Sequence, residues 1–261
     1  MPSPTMHPSL ALAIALSLTI SSPASANASL DTLIAQGGDA LLAEADRRAN
    51  IAPDITRQVK MVLTGGDDNG NELMMEQITK DGKGTAIRFS KPADLKGLAL
   101  VIKGEAEIYV KLPGSKKVRR VAAHARKQGF QGTDFSLDDL KMLRFVPHYS
   151  AKLSSSEGTT VELELTRRPT SDIPYYRLIM TMDKDILIPK TIAYFDKAGK
   201  KIKLQQRSEL AKFKNGGLTY RNIKMTDLVR NHSTELLVLE EDIEKNIPSR
   251  TFSKRWLLRG S

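Results

Sequence analysis

The sequence predicts a mainly β (α+β) protein: one long antiparallel sheet that curls around short helices. Three observations point there. Apolar runs of strand length recur from Thr56 to Ile243, and the stretches between them are rich in Gly, Asn, Asp and Pro. Nowhere do such runs alternate with longer helical patterns, as parallel crossovers would require. Counting the runs gives about 11 strands. Twist accumulates over a sheet of that size and its edges need protection, so it curls or closes.

Asp39 opens DALLAEADRRAN, in which Leu41, Leu42 and Ala45 share one side and Arg47-Arg48 fill the last turn. These are the start and stop signals of a short amphipathic helix with its leucines against a sheet. Gly37-Gly38 interrupts any extension back to Leu30. Strand runs follow at 56–64, 72–80 and 85–90, separated by GGDDNGN and DGKG, whose Asn-Gly and Asp-Gly pairs are strong hairpin signals. Leu98–Ile102, Glu107–Leu112 and Lys117–Val121, punctuated by Gly104 and Pro113-Gly114, read as a hairpin meander. GFQGTDFSLDDL then hands the sheet to a short helix. There the Ser136 hydroxyl suits an N-cap, and Asp139 sits near the positive end of the helix dipole. Six further strand runs occupy 159–168, 175–183, 188–196, 200–213, 218–228 and 233–243, with SSSEG, PTSDIP, KDIL, KAG and KNGG as turns. Beyond them Ile247, Pro248 and Phe252 read as a strap over the sheet, and Trp256-Leu257-Leu258 as a short docking segment.

The first 26 residues contain no Asp, Glu, Lys or Arg and end in Ala24-Ser25-Ala26. With an apolar run from Leu10 to Ile20, they read as a secretory signal peptide cleaved near Ala26. That run is too short to span a bilayer, which takes about 20 apolar residues. The division is therefore a signal peptide at 1–26 and a single domain at 27–261, exported to the periplasm. The chain has no cysteine, which excludes disulfides, thiol chemistry, Cys-ligated metals and a lipid-bearing cysteine after the leader. Its net charge of +10 lies wholly beyond the leader and suits an anionic membrane face or an acidic partner. Nucleic acid is the least suitable partner of an exported chain. Only 5% of residues are aromatic, so base stacking has little support.

Within the meander and the helix start, the order Pro92…Gly97, Tyr109-x-x-Leu112-Pro113, Arg119-Arg120 and Gly132-Thr133-Asp134-Phe135-Ser136…Asp139-Leu140 resembles the outer-membrane lipoprotein-sorting family of LolA-like periplasmic carriers. The resemblance implies a LolA-like incomplete antiparallel β-barrel with short helices covering its concave side. It also implies cargo taken from an inner-membrane transporter, of ABC or RND type, and passed toward an outer-membrane acceptor. Tyr109 stands where many such sequences carry Trp, and Lys111 where an aromatic is common, so a site lined by these positions would be less aromatic.

Catalytic signals are sparse. His124, His148 and His232 lie in separate segments without metal-ligand spacing and read as surface residues. Asp134, Asp138 and Asp139 cluster at the expected helix start, where a structural role suffices; a periplasmic hydrolase would have to rest on them alone. The basic string Lys111, Lys116, Lys117, Arg119, Arg120, Arg126, Lys127 reads as a solvated face or a contact for anionic headgroups. Hydrophobic cargo, either lipoprotein acyl chains or free lipid, fits better than chemistry. Exposing an acyl chain costs roughly 0.8 kcal/mol per methylene, and Met61, Met74, Met75, Met142, Met180, Met182 and Met225 could line a pliable slot. The expected concave wall is Leu98, Leu100, Ile102 and Tyr109. Phe130, Phe135, Leu140 and Met142 are expected on the lid side, with Arg119 and Arg120 at a polar rim. Neither a cofactor nor a catalytic residue is expected. The alternative is an accessory docking module of an RND-type lipid exporter, with a filled core and no cargo pocket of its own.

Overall fold

The computed structural model describes residues 29–104, 107–243 and 246–259; the expected leader at 1–26 lies outside them. Two helices come first, α1 (Leu30–Gln36) and α2 (Gly38–Ala49), broken at Gly37, whose φ of 96° suits only glycine without strain. A first meander follows: β1 (Asp54–Thr64), β2 (Glu72–Lys80), β3 (Gly84–Lys91), β4 (Ala99–Lys103), β5 (Glu107–Lys111) and β6 (Val118–Arg120). After α3 (Leu137–Lys141) comes a second: β7 (Tyr149–Ser155), β8 (Thr160–Arg167), β9 (Arg177–Asp183), β10 (Pro189–Phe195), β11 (Lys201–Lys212), β12 (Leu218–Asp227) and β13 (His232–Asp242). A final short helix, α4, spans Lys254–Leu258.

Among the described residues these make one 13-stranded antiparallel sheet in the order β6-β5-β4-β3-β2-β1-β13-β12-β11-β10-β9-β8-β7. The first strand pairs with the last, for example Met61 opposite Leu236, and this joins the two meanders. The sheet stays open, so the incomplete barrel expected from the sequence is correct in kind, with more strands than expected. The strand for which the sequence offers no run is β7, whose YSAKLSS buries only Tyr149 and so carries little apolar alternation.

This topology explains the lid. The two free edges are β6 and β7, and residues 121–148 link one to the other. The link crosses the hollow, laying Phe130, Phe135, Leu137 and Phe145 onto the core formed by the concave face. The edges are protected in different ways. Strand β6 is three residues long, and β7 is covered by the start of α2, where Asp39 Oδ1 accepts from the Ala151 N–H at 2.7 Å. The approach is so close that a Cβ on Gly38 would lie 2.5 Å from the Ala151 carbonyl oxygen. Leu41, Leu42 and Ala45 of α2 are buried in the main core, as their spacing implied.

The outer face carries a second, smaller core. Ala86, Ala99 and Val101 form a shallow floor on which Ile247, Phe252 and Leu257 are buried, with Trp256 packed alongside. The small alanines leave room for the C-terminal strap, and Asp54 Oδ2 pins it by accepting from the Ile247 N–H at 2.9 Å.

Candidate functional site

Alternation sets what the hollow contains. In β1 and β2 the inward positions run Arg57, Val59, Met61, Leu63 and Leu73, Met75, Gln77, with Gln77 opposite Arg57. In β11 and β12 they run Lys203, Gln205, Arg207 and Ile223, Met225, with Arg207 opposite Ile223. Under the crossing segment these walls enclose a cavity of about 200 Å³. Its lid side is Phe135, Leu140, Met142, Leu143 and Phe145. Its wall is mixed: Ile223, Leu236 and Val238 beside Arg57, Gln77, Gln205, Arg207 and Tyr220. A second cavity of about 240 Å³ flanks the lid elsewhere, bordered by Ile102, Lys141, Leu143 and Pro147. Leu143 borders both, so this part of the lid separates two spaces.

Buried polar contacts fix the lid to the sheet. Ser136 and Asp139 form a capping box at the start of α3: the Ser136 hydroxyl accepts from the Asp139 N–H at 3.0 Å, and Asp139 Oδ2 accepts from the Ser136 N–H at 2.7 Å. The same carboxylate accepts from Tyr175 Oη at 3.1 Å and Lys203 Nζ at 3.2 Å, and Lys203 also donates to the Asp134 carbonyl at 2.7 Å. Burial, with the Asp139 charge second, pushes the Tyr175 and Tyr194 hydroxyls well above their ordinary range, so both stay protonated. One turn earlier, Asp134 Oδ2 takes bonds from Thr234 Oγ1 and His232 Nδ1, each at 2.7 Å, on the inner side of β13. At the far end, Asp46 of α2 accepts from the Phe145 and Val146 N–H groups at 2.7 and 2.8 Å.

The guanidinium groups in the wall are less well matched. Glu241 faces both Arg57, at 3.6 Å, and Arg221, at 3.4 Å. Arg207 donates through Nε to Gln205 Oε1 at 2.9 Å and has no carboxylate partner among the described residues. Burial pulls both Arg57 and Arg207 below their ordinary value. Glu241 opposes this at Arg57, whereas only tyrosine hydroxyls do at Arg207.

The structure separates the expected site residues into groups. Phe135, Leu140 and Met142 line the cavity. Leu98, Leu100 and Ile102 are buried on the concave face in the closed part of the core, and Ile102 reaches the second cavity. Phe130 packs over Phe89, ring centres 5.9 Å apart, and belongs to the lid without bordering the first cavity. Tyr109 is a correction: it alternates with inward-facing Ile108 and Val110, so it lies on the outer face, where Lys254 Nζ sits 4.4 Å from its ring centre. Arg119 and Arg120 are exposed on the edge strand β6 and border neither cavity, so no rim forms there. Of His124, His148 and His232, the last two are not on the surface. His148 and His232 are buried, held by Ser171 and Asp134. The basic string is likewise divided, with Lys111 and Arg126 buried. Five of the methionines, Met61, Met75, Met180, Met182 and Met225, fill the main core, and only Met142 reaches the cavity. Arg57, Gln77, Gln205 and Arg207 were missed. Arg57 and Gln77 were legible, being in phase with the apolar residues of their strands.

This fold, an open antiparallel sheet whose edge-to-edge link forms a lid over a cavity, is shared with several solved structures. A domain from Vibrio parahaemolyticus described as outer-membrane lipoprotein-sorting is similar with a TM-score of 0.78 at 20% identity, covering 85% of this chain and 98% of its own. A DUF1329 family protein from Desulfovibrio piger gives 0.77 at 21% identity, covering 86% and 98%. A LolA superfamily protein from Nitrosomonas europaea gives 0.72 at 17% identity, covering 84% and 99%. By sequence, a family model described as "Uncharacterized protein" matches residues 81–259, and the chain belongs to that family. A comparison with curated proteins finds no match.

Proposed function

We propose that this chain is a periplasmic carrier that reversibly holds the acyl part of a lipid or lipoprotein beneath its lid and moves it toward the outer membrane. The observation that carries this reading is the cavity between the concave face and the 121–148 link, roofed by Phe135, Leu140 and Met142. Sheltering apolar chain there removes a cost of roughly 0.8 kcal/mol per methylene. Loading from an ABC- or RND-type transporter and unloading at an outer-membrane acceptor complete the proposed route, and the leader at 1–26 supplies export. Asp134 and Asp139 serve the lid's own hydrogen bonds through Oδ2, a structural use that favours binding over chemistry.

At about 200 Å³ the cavity is below the roughly 300–1,000 Å³ of a drug-sized ligand pocket, so larger cargo requires the lid to lift. The filled concave face around Leu98 and Leu100 favours the second reading, a docking module of an RND-type lipid exporter. Uptake of an environment-sensitive fluorescent acyl probe separates the two. The carrier binds it saturably and loses it in Phe135→Asp, with Met142→Glu as a second variant; a folded protein that never takes up the probe is the docking module.

A further inference from the structure

The cavity wall has a polarity of its own. Arg207 stands opposite Ile223, Ile223 opposite Leu236, and Leu236 opposite Met61, one cross-strand row over β11, β12, β13 and β1. The first three of these border the cavity, and Met61 continues the row into the core. With strands about 4.8 Å apart, the row begins at a guanidinium and turns apolar within one strand spacing. On the same wall Arg57 and Arg221 share the single carboxylate of Glu241, and Arg207 has only the neutral Gln205. The remaining charged group bordering the cavity, Asp139, is paired through Oδ2 with Lys203 and Tyr175. Cationic groups thus outnumber anionic ones in a confined site, where an unmatched charge is costly and a charge-assisted bond to Arg is strong.

Resting on the carrier reading above, we infer that the ligand of this cavity is a single-chain amphiphile with an anionic head, a carboxylate or a phosphate. The head is bound by the Nη groups of Arg207, Arg57 being the other guanidinium that borders the cavity, and the chain lies along Ile223 and Leu236 beneath Phe135, Leu140 and Met142. The small volume selects one chain over several.

The test is displacement of the fluorescent acyl probe from the purified protein by palmitate, by monoacylglycerol phosphate and by methyl palmitate. The inference expects at least one anionic amphiphile to compete about tenfold or more better than the ester. The stronger of the two identifies a free fatty acid or a phospholipid-type head. In Arg207→Gln the ratio of the better anionic competitor to the ester falls toward one, and in Arg207→Lys, which keeps the charge but loses the bidentate fork, it is intermediate. Competition by the ester equal to that by both anionic amphiphiles in the wild type overturns the inference while leaving the carrier standing. So does a preference that survives Arg207→Gln. If the probe itself does not bind, the carrier reading fails and the inference fails with it.

Discussion

Asp46 and Glu44, two acids of one helix, are driven in opposite directions by their surroundings. Burial lifts the Asp46 carboxyl above its ordinary 3.8, with the Val146 and Phe145 N–H groups opposing. The hydrogen bond from Arg47 leads in pulling Glu44 down from 4.5 to about 2, against its partial burial. A folded chain that holds the Asp46 proton more tightly than the unfolded chain is favoured at low pH and loses that advantage as pH rises through the raised value. Glu44 has the reverse sign: its contribution is present above 4.5 and is lost as pH falls toward 2. Thermal unfolding across this acid range checks both. Relative to Asp46→Asn, the wild type becomes less stable as pH rises; relative to Glu44→Gln, it becomes less stable as pH falls. A flat difference for either variant contradicts the assignment. At the lid, Asp134→Ala strands His232 and Thr234 in a buried site, and urea unfolding is expected to show a loss of about 2–4 kcal/mol. Asp134→Asn, which keeps an acceptor for Thr234, is expected to lose less.

Among the elements, the lid depends on local caps and the sheet on protected edges. Ser136→Ala removes one half of the capping box and is expected to cost about 1 kcal/mol, read as roughly fivefold faster amide exchange at Asp139 and Leu140. Gly38→Ala forces a Cβ into the Ala151 carbonyl, and a loss of about 1–3 kcal/mol with an uncovered β7 edge is expected in thermal unfolding and aggregation assays. Sequence reasoning reached the α3 cap and most strands because Ser-x-x-Asp and the hairpin turns are local signals. It missed β7 because that edge strand gains its order from α2 and β8, which is not visible in YSAKLSS. Tyr109 was misplaced because strand parity, a single-residue matter, decides which face a side chain serves. Arg207 was hidden in KIKLQQR, where polar residues take the inward phase and Leu204 the outward one, the inverse of the usual half-buried strand.

Across the whole molecule, the pairing of first strand with last explains why a lid exists. Joining β1 to β13 leaves β6 and β7 as the two free edges, and the chain between them has to bridge the hollow. The same bridge carries the capping box, the aromatic roof and the Asp134 and Asp46 contacts, so closing the cavity and completing the core are one packing event. On the outer face the C-terminal strap covers Ala86 and Ala99. On the concave side the fold leaves space under the segment tied to both edge strands.

The central claim is that this space holds lipid, and native mass spectrometry of the protein recovered from its own cells, followed by extraction and identification of what is bound, tests it most directly. The account predicts a mass increment that resolves into an acyl-chain ligand and disappears in Phe135→Asp. Protein that is folded, consistently without an increment, and indifferent to that substitution would contradict it.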